Sequence, residues 1–119
     1  MKVLNIDDST VNNMLMENLL AAHGFETLSV IEGEKAEEYI EDYQPDVILL
    51  DLMIPDKSGF EILKALKAKK INIPVVVITA VESKDVREKI LDWGVTEYHT
   101  KPIESDKLIE SIQKATAAC

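Results

Sequence analysis

Apolar positions along this 119-residue chain alternate between two rhythms. Short runs rich in branched side chains read as strands: "KVLNI" (2–6), "ETLSV" (26–30), "DVILL" (46–50), "VVVIT" (75–79) and "VTEYH" (95–99). The third and fourth are nearly continuous apolar runs, as a strand covered on both faces requires. Between them the spacing becomes helical. Val11, Leu15, Leu19 and Ala22 share one face of a first helix, and Gly24 marks its stop. Ala36, Tyr39, Ile40 and Tyr43 follow at i, i+3, i+4 and i+7 with acidic residues outside, and Pro45 blocks continuation. After the proline–glycine loop "IPDKSG", Phe60, Leu63 and Leu66 face inward and Lys64, Lys67, Lys69 and Lys70 outward. Ser83 is placed to cap a helix burying Val86, Ile90 and Leu91, which Gly94 ends. Leu108, Ile109 and Ile112 mark the last helix.

Five strands alternating with five helices predict one α/β domain over residues 1–119, a parallel sheet with helices on both faces. Right-handed crossovers place the C-terminal ends of parallel strands on one edge. Ligand sites of such sheets lie outside that edge. The strand runs end in polar residues there: Asp7 and Asp8 after the first, Asp51 after the third, Thr79 on the fourth and Lys101 just past the fifth. These side chains are expected to converge.

Composition narrows the field. Hydrophobic residues make up 46% and charged residues 29%, ordinary for a globular domain with its own core. A net charge of −9 disfavours direct binding to nucleic acid or anionic membrane and suits a chain that holds a divalent cation. The single cysteine, Cys119, has no intrachain partner, and "KVLNI" straight after Met1 is not a signal peptide. No apolar run approaches the roughly 20 residues needed to span a bilayer. The expectation is a cytoplasmic protein without a membrane anchor.

Three carboxylates in one pocket repel one another unless cations compensate. Hard oxygen donors with no histidine or cysteine among them point to Mg²⁺ and away from Zn²⁺. Lys101 adds an ammonium and Thr79 a hydroxyl. A carboxylate nucleophile, Mg²⁺, an ammonium and a hydroxyl are the parts needed to move a phosphoryl group, a step governed by alignment and charge stabilisation.

"NIDDS", "LLDLMIPDKSG", "VVVITA" and "YHTKP", in this order and spacing, resemble the receiver domain of two-component response regulators, in the manner of the chemotaxis regulators. The resemblance covers essentially the whole chain. It implies a doubly wound, flavodoxin-like sheet in the order 2-1-3-4-5. It implies that Asp51 accepts a phosphoryl group from a phosphohistidine of a sensor histidine kinase or phosphotransfer protein. Asp8, Asp51 and the Met53 backbone carbonyl would ligate Mg²⁺, with Asp7 holding it directly or through water. Lys101 would pair with one phosphoryl oxygen. Thr79 would donate to another and shift on phosphorylation, and Tyr98 would be the switch aromatic that turns inward in response. The Lys101–Pro102 peptide would be cis. Such a chain modifies itself and is not an enzyme with turnover; its output goes to a protein target or a fused output domain. Met53 and Val81 resemble positions flanking the path of the hydrolytic water. Being apolar, they imply slow self-dephosphorylation.

Three other readings compete. A pseudo-receiver would bind proteins without being phosphorylated. An aspartate-dependent phosphatase usually has a second acid two residues after its nucleophile, where this chain has Met53. A flavin-binding fold needs a Ser/Thr/Gly-rich phosphate loop, where "DDSTVNN" carries negative charge. Trp93 reads as a cover for the end of its helix, with a partner anchor beside the last strand and helix as the sharper alternative. Asn5 reads as hydrogen-bonded core, and His23 and His99 as surface or capping residues.

Overall fold

Branched apolar runs of four or five residues are too short for helices and too hydrophobic for loops, and they pair into one sheet. The computed structural model describes residues 1–54 and 58–117. Among these, strands β1 (Lys2–Ile6), β2 (Glu26–Val30), β3 (Val47–Leu50), β4 (Val75–Thr79) and β5 (Glu97–Thr100) form a parallel sheet in the order β2-β1-β3-β4-β5. Helices α1 (Thr10–Ala22), α2 (Ala36–Tyr43), α3 (Gly59–Ala68), α4 (Lys84–Asp92) and α5 (Ser105–Ala117) connect and follow the strands, and a 3-10 turn, Gly33–Lys35, leads into α2. The sheet order is the flavodoxin-like one that the resemblance implied.

The period-two alternation of the central strands divides the core in two. Leu4, Ile6, Ile48, Leu50, Val75 and Val77 face Ile40 of α2, Ile62 and Leu66 of α3 and Ile90 of α4. Val3, Val47, Leu49, Val76 and Ile78 face Leu20 of α1 and Leu108, Ile109 and Ile112 of α5. A strand buried on both sides cannot alternate with polar residues, which explains the continuous runs in β3 and β4.

Helix ends follow local chemistry. Ser9, Ser58 and Ser83 cap α1, α3 and α4, their hydroxyls accepting from Asn12, Glu61 and Val86 N–H. Gly24 and Gly94, just past α1 and α4, adopt φ of +83° and +89°, a backbone region in which a side chain would be strained.

Several expectations need correction. β3 starts one residue later than 46, and β5 runs from 97 to 100 where 95–99 was expected. Val95 lies before β5, yet its side chain still packs in the core. The apolar face expected for α1 points outward: Val11 and Leu15 are 66% and 64% exposed, and Ala22 is exposed too. The helix buries Asn13 and Leu20, with Met16 and Leu19 packed at the edge. Apolar residues surround most of α1, so spacing alone does not single out one face. In α4 the buried residue is Ile90, Val86 is half-buried, and Leu91 is 40% exposed. Residues 55–57 of the "IPDKSG" loop and Cys119 lie outside the described residues.

Candidate functional site

At the C-terminal edge of the sheet, β1 and β3 adjoin, and both run directly into aspartates. Asp7 and Asp51 are each 7% exposed, while Asp8 faces solvent. One carboxylate oxygen from each of the three lies within 4.8 Å of the others. Two buried carboxylates side by side would be costly without compensation. Lys101 supplies it: its Nζ donates to Asp7 Oδ2 at 2.9 Å and to Asp51 Oδ2 at 2.8 Å. The other oxygens are held by loop amides, Ser9 N–H on Asp7 Oδ1 and Met53 N–H on Asp51 Oδ1, both at 3.0 Å. Burial works against the Lys101 ammonium, but the bonds to Asp51 and then Asp7 outweigh it and raise its pKa above the ordinary 10.5.

Lys101 reaches this point because its own N–H donates to the Thr79 carbonyl at 2.8 Å, extending the β4–β5 pairing by one bond. The Lys101–Pro102 peptide is cis. Thr79 is fully buried, and its Oγ1 accepts from Val81 N–H at 3.4 Å. Tyr98, expected to turn inward when Thr79 moves, lies inward here at 4% exposure, and its hydroxyl donates to the Val81 carbonyl at 2.8 Å. Arg87 of α4 lies 6.0 Å from its ring centroid. Burial pushes the phenol above its ordinary value, with Arg87 opposing and Asp51 assisting. The hydroxyl is therefore a standing donor to the β4–α4 loop.

The structure thus gathers Asp7, Asp8, Asp51 and Lys101 and brings Thr79 and Tyr98 to the same edge. Met53 meets the site through its N–H, while its side chain is 63% exposed. The ligand role of its carbonyl rests on the resemblance alone. The carboxylate set fits a hard, oxygen-seeking cation, with Asp7, Asp8 and Asp51 as the residues that would hold it.

Other features escaped the sequence reading. Gly59, the first residue of α3, packs so closely on the loop after Asp51 that a Cβ there would sit 2.7 Å from Leu52 Cα. His99 is not a surface or capping residue. Its Nε2 lies 3.0 Å from Glu97 Oε1 and 2.7 Å from Ser111 Oγ, and Ser111 donates to Glu97 at 2.6 Å. His23 does cap, with Nδ1 3.0 Å from the Leu19 carbonyl. Trp93 caps α4 and sets its ring edge-on to Phe60 of α3 at 6.3 Å. It therefore covers the end of its helix and packs toward α3.

A strand-edge acidic pocket closed by a lysine, on a 2-1-3-4-5 sheet, defines a receiver. Residues 3–113 match the response regulator receiver domain, and the chain belongs to that family. It is a receiver domain of two-component response regulators. Among curated proteins it is 34% identical to the polar-differentiation response regulator DivK of Brucella ovis, over 93% of this chain and 92% of that one. It is also 34% identical to the cell cycle transcriptional regulator CtrA of Caulobacter vibrioides, over 94% of this chain; the match spans only 48% of CtrA. The receiver domain of Francisella response regulator 1452 superposes with a TM-score of 0.93 at 30% identity, covering 98% of this chain and 97% of that one. The chemotaxis protein CheY4 of Vibrio cholerae gives 0.87 at 26% identity, covering 96% and 97%. Receiver domains generally use Mg²⁺ at the acidic pocket and interact with histidine kinases and downstream targets. Among the described residues no helix is long and apolar enough to cross a membrane.

Proposed function

We propose that this domain, as a single unit over residues 1–119, takes a phosphoryl group onto Asp51 from the phosphohistidine of a sensor histidine kinase or phosphotransfer protein. The observation that carries this reading is the Lys101 ammonium shared between Asp7 and Asp51 at 2.8–2.9 Å, inside a cluster of three carboxylates. A carboxylate oxygen of Asp51 attacks phosphorus, the P–N bond breaks, and the imidazole leaves with its electron pair and takes up a proton. The chain supplies position and charge. Met53 N–H holds the second Asp51 oxygen, and Lys101 moves from the carboxylate it neutralises to the phosphoryl oxygen that replaces it. Asp7, Asp8 and Asp51, with the Met53 carbonyl, would hold Mg²⁺, which would supply electrostatic stabilisation of the negative charge on the phosphoryl group.

The donor docks beside Asp51 along α1, where Val11, Met14 and Leu15 are each more than 60% exposed. Leu15 also lines a groove of about 680 Å³ between α1 and α5, shared with Met16, Leu19, Ile103 and Leu108. Phosphorylation draws the Thr79 hydroxyl away from Val81 N–H, and Tyr98, bonded to the Val81 carbonyl, follows the loop. The output is a changed surface read by a protein target or output domain, not by nucleic acid or membrane directly. The reaction is self-modification without turnover of a separate substrate.

The test is intact-mass measurement after incubation with acetyl phosphate, with and without Mg²⁺, on the parent and Asp51→Asn. One phosphoryl adduct that needs both Mg²⁺ and Asp51 is expected. A folded parent that gains no adduct in Mg²⁺ sinks the reading and leaves a binding module in its place. Trp93 fluorescence, which reports the α3–α4 contact through Phe60, follows the conformational response in the same samples.

A further inference from the structure

Asn5 of β1 and Asn13 of α1 are each 4% exposed, buried polar residues on elements whose other buried side chains are apolar. Asn5 Nδ2 donates to Asn13 Oδ1 at 2.8 Å, and Asn13 Nδ2 donates to the backbone carbonyl of Asp7 at 2.9 Å. The direction of the relay is forced. A carbonyl only accepts, so Asn13 must present its nitrogen to Asp7 and its oxygen to Asn5.

The carbonyl they serve is an awkward one. The ladder of β1 ends at Ile6, which pairs with Val30 and Leu50, so the Asp7 carbonyl is the first beyond it. Helix α1 begins only at Thr10. With Asn13 in place every polar group of Asp7 is engaged: N–H to the Val30 carbonyl, carbonyl from Asn13, Oδ1 from Ser9 and Oδ2 from Lys101. Without Asn13 that carbonyl must turn toward water, taking the loop with it. The bond accompanies a rotation of α1 that turns Asn13 and Leu20 inward and the apolar residues Val11, Met14 and Leu15 outward.

We propose that Asn5 and Asn13 are positioning residues that hold the Asp7–Asp8 loop where the three carboxylates converge, and so set the affinity of the acidic site for a divalent cation. The inference rests on the metal-dependent reading of that site. Groups that orient metal ligands without touching the metal typically change affinity by about 10–100-fold when removed.

Calorimetric titration with MgCl₂ would compare the parent, Asn13→Leu, the double variant Asn5→Val/Asn13→Leu, and a control, Ile112→Val, in the α5 core away from the loop. The dissociation constant is expected to rise about tenfold or more in both relay variants and to stay unchanged in the control, even where the control loses more thermal stability. Hydrogen exchange of the Ser9 amide in metal-free protein is the second readout, because that amide is bonded to Asp7 Oδ1. It should exchange faster in the relay variants alone. Parent-like Mg²⁺ affinity in the double variant, or parent-like Ser9 exchange, overturns the positioning role. A parent that binds no Mg²⁺ overturns the metal-dependent reading instead, and Ser9 exchange still decides the relay.

Discussion

Replacing Gly59 by alanine adds one methyl group directly against the loop that follows Asp51. Its Cβ would lie 2.7 Å from Leu52 Cα, 2.9 Å from Leu52 Cδ2 and 3.0 Å from the Asp51 carbonyl oxygen. The Leu52 side chain could rotate away, but two of the three contacts are backbone and can be relieved only by moving the loop. Overpacking of this kind costs about 1–3 kcal/mol. Alanine gains at most about 1 kcal/mol over glycine in a helix interior, and less at the first residue of α3. The net expectation is a loss of about 1–2 kcal/mol, or a fall of about 0.5–1 M in the urea midpoint for a slope typical of small domains. Equilibrium unfolding in Mg²⁺-free buffer reads this directly. The strain is local to Asp51, so the rate of adduct formation with acetyl phosphate should fall as well. A Gly59→Ala protein that unfolds at or above the parent midpoint and phosphorylates at the parent rate would refute the close approach and the account of the loop built on it.

Other perturbations probe separate parts of the site. Tyr98→Phe removes the donor to the Val81 carbonyl and should cost about 0.5–1.5 kcal/mol by urea unfolding; the Trp93 response to acetyl phosphate should shrink with it, and an unchanged response would dissociate Tyr98 from the switch. Met53→Glu and Val81→Glu each introduce a group able to orient water, so the phosphorylated form should decay faster by mass spectrometry; unchanged decay in both would count against slow dephosphorylation by apolar shielding. The bond from Ser111, opposed by burial and aided by His99, holds Glu97 below its ordinary 4.5. Its lowered folded-state pKa means that its stabilisation is present above about pH 4.5 and is lost as pH falls through the folded value. Thermal melts between about pH 6 and pH 3 should therefore show a shallower acid loss for Glu97→Gln than for the parent; identical slopes would remove Glu97 from the acid transition.

Legibility in the sequence tracked how local the cause was. "VVVIT" becomes a strand because its own side chains demand burial on both faces, and its limits came out at residues 75 and 79 as read. The convergence of Asp7, Asp51 and Lys101 was legible because parallel topology places strand ends on one edge whatever the packing details. The exposed face of α1 was not, because apolar residues surround most of the helix and the face that packs carries a buried asparagine, Asn13, beside Leu20. The Glu97–His99–Ser111 cluster was hidden for a similar reason: Ser111 meets His99 only through the docking of α5 on the sheet. The inward position of Tyr98 depends on a carbonyl 17 residues earlier in the chain, at the start of the β4–α4 loop. Gly59 gave a helix-boundary signal, but nothing in the sequence showed that Leu52 would lie against it.

The ion pair between Lys101 and Asp7 joins residues 94 positions apart, and one partner directly follows β1, the first strand of the chain. In vectorial synthesis Asp7 leaves the ribosome long before its counter-charge exists. A nascent chain can align β1, β2 and β3 while its acidic loop still lacks the ammonium that would balance it. The last piece of the acidic pocket to be made is also the one that joins its two buried carboxylates. The charge balance of the acidic pocket therefore arrives just after the fifth strand, and a chain stalled before residue 101 carries its carboxylates uncompensated.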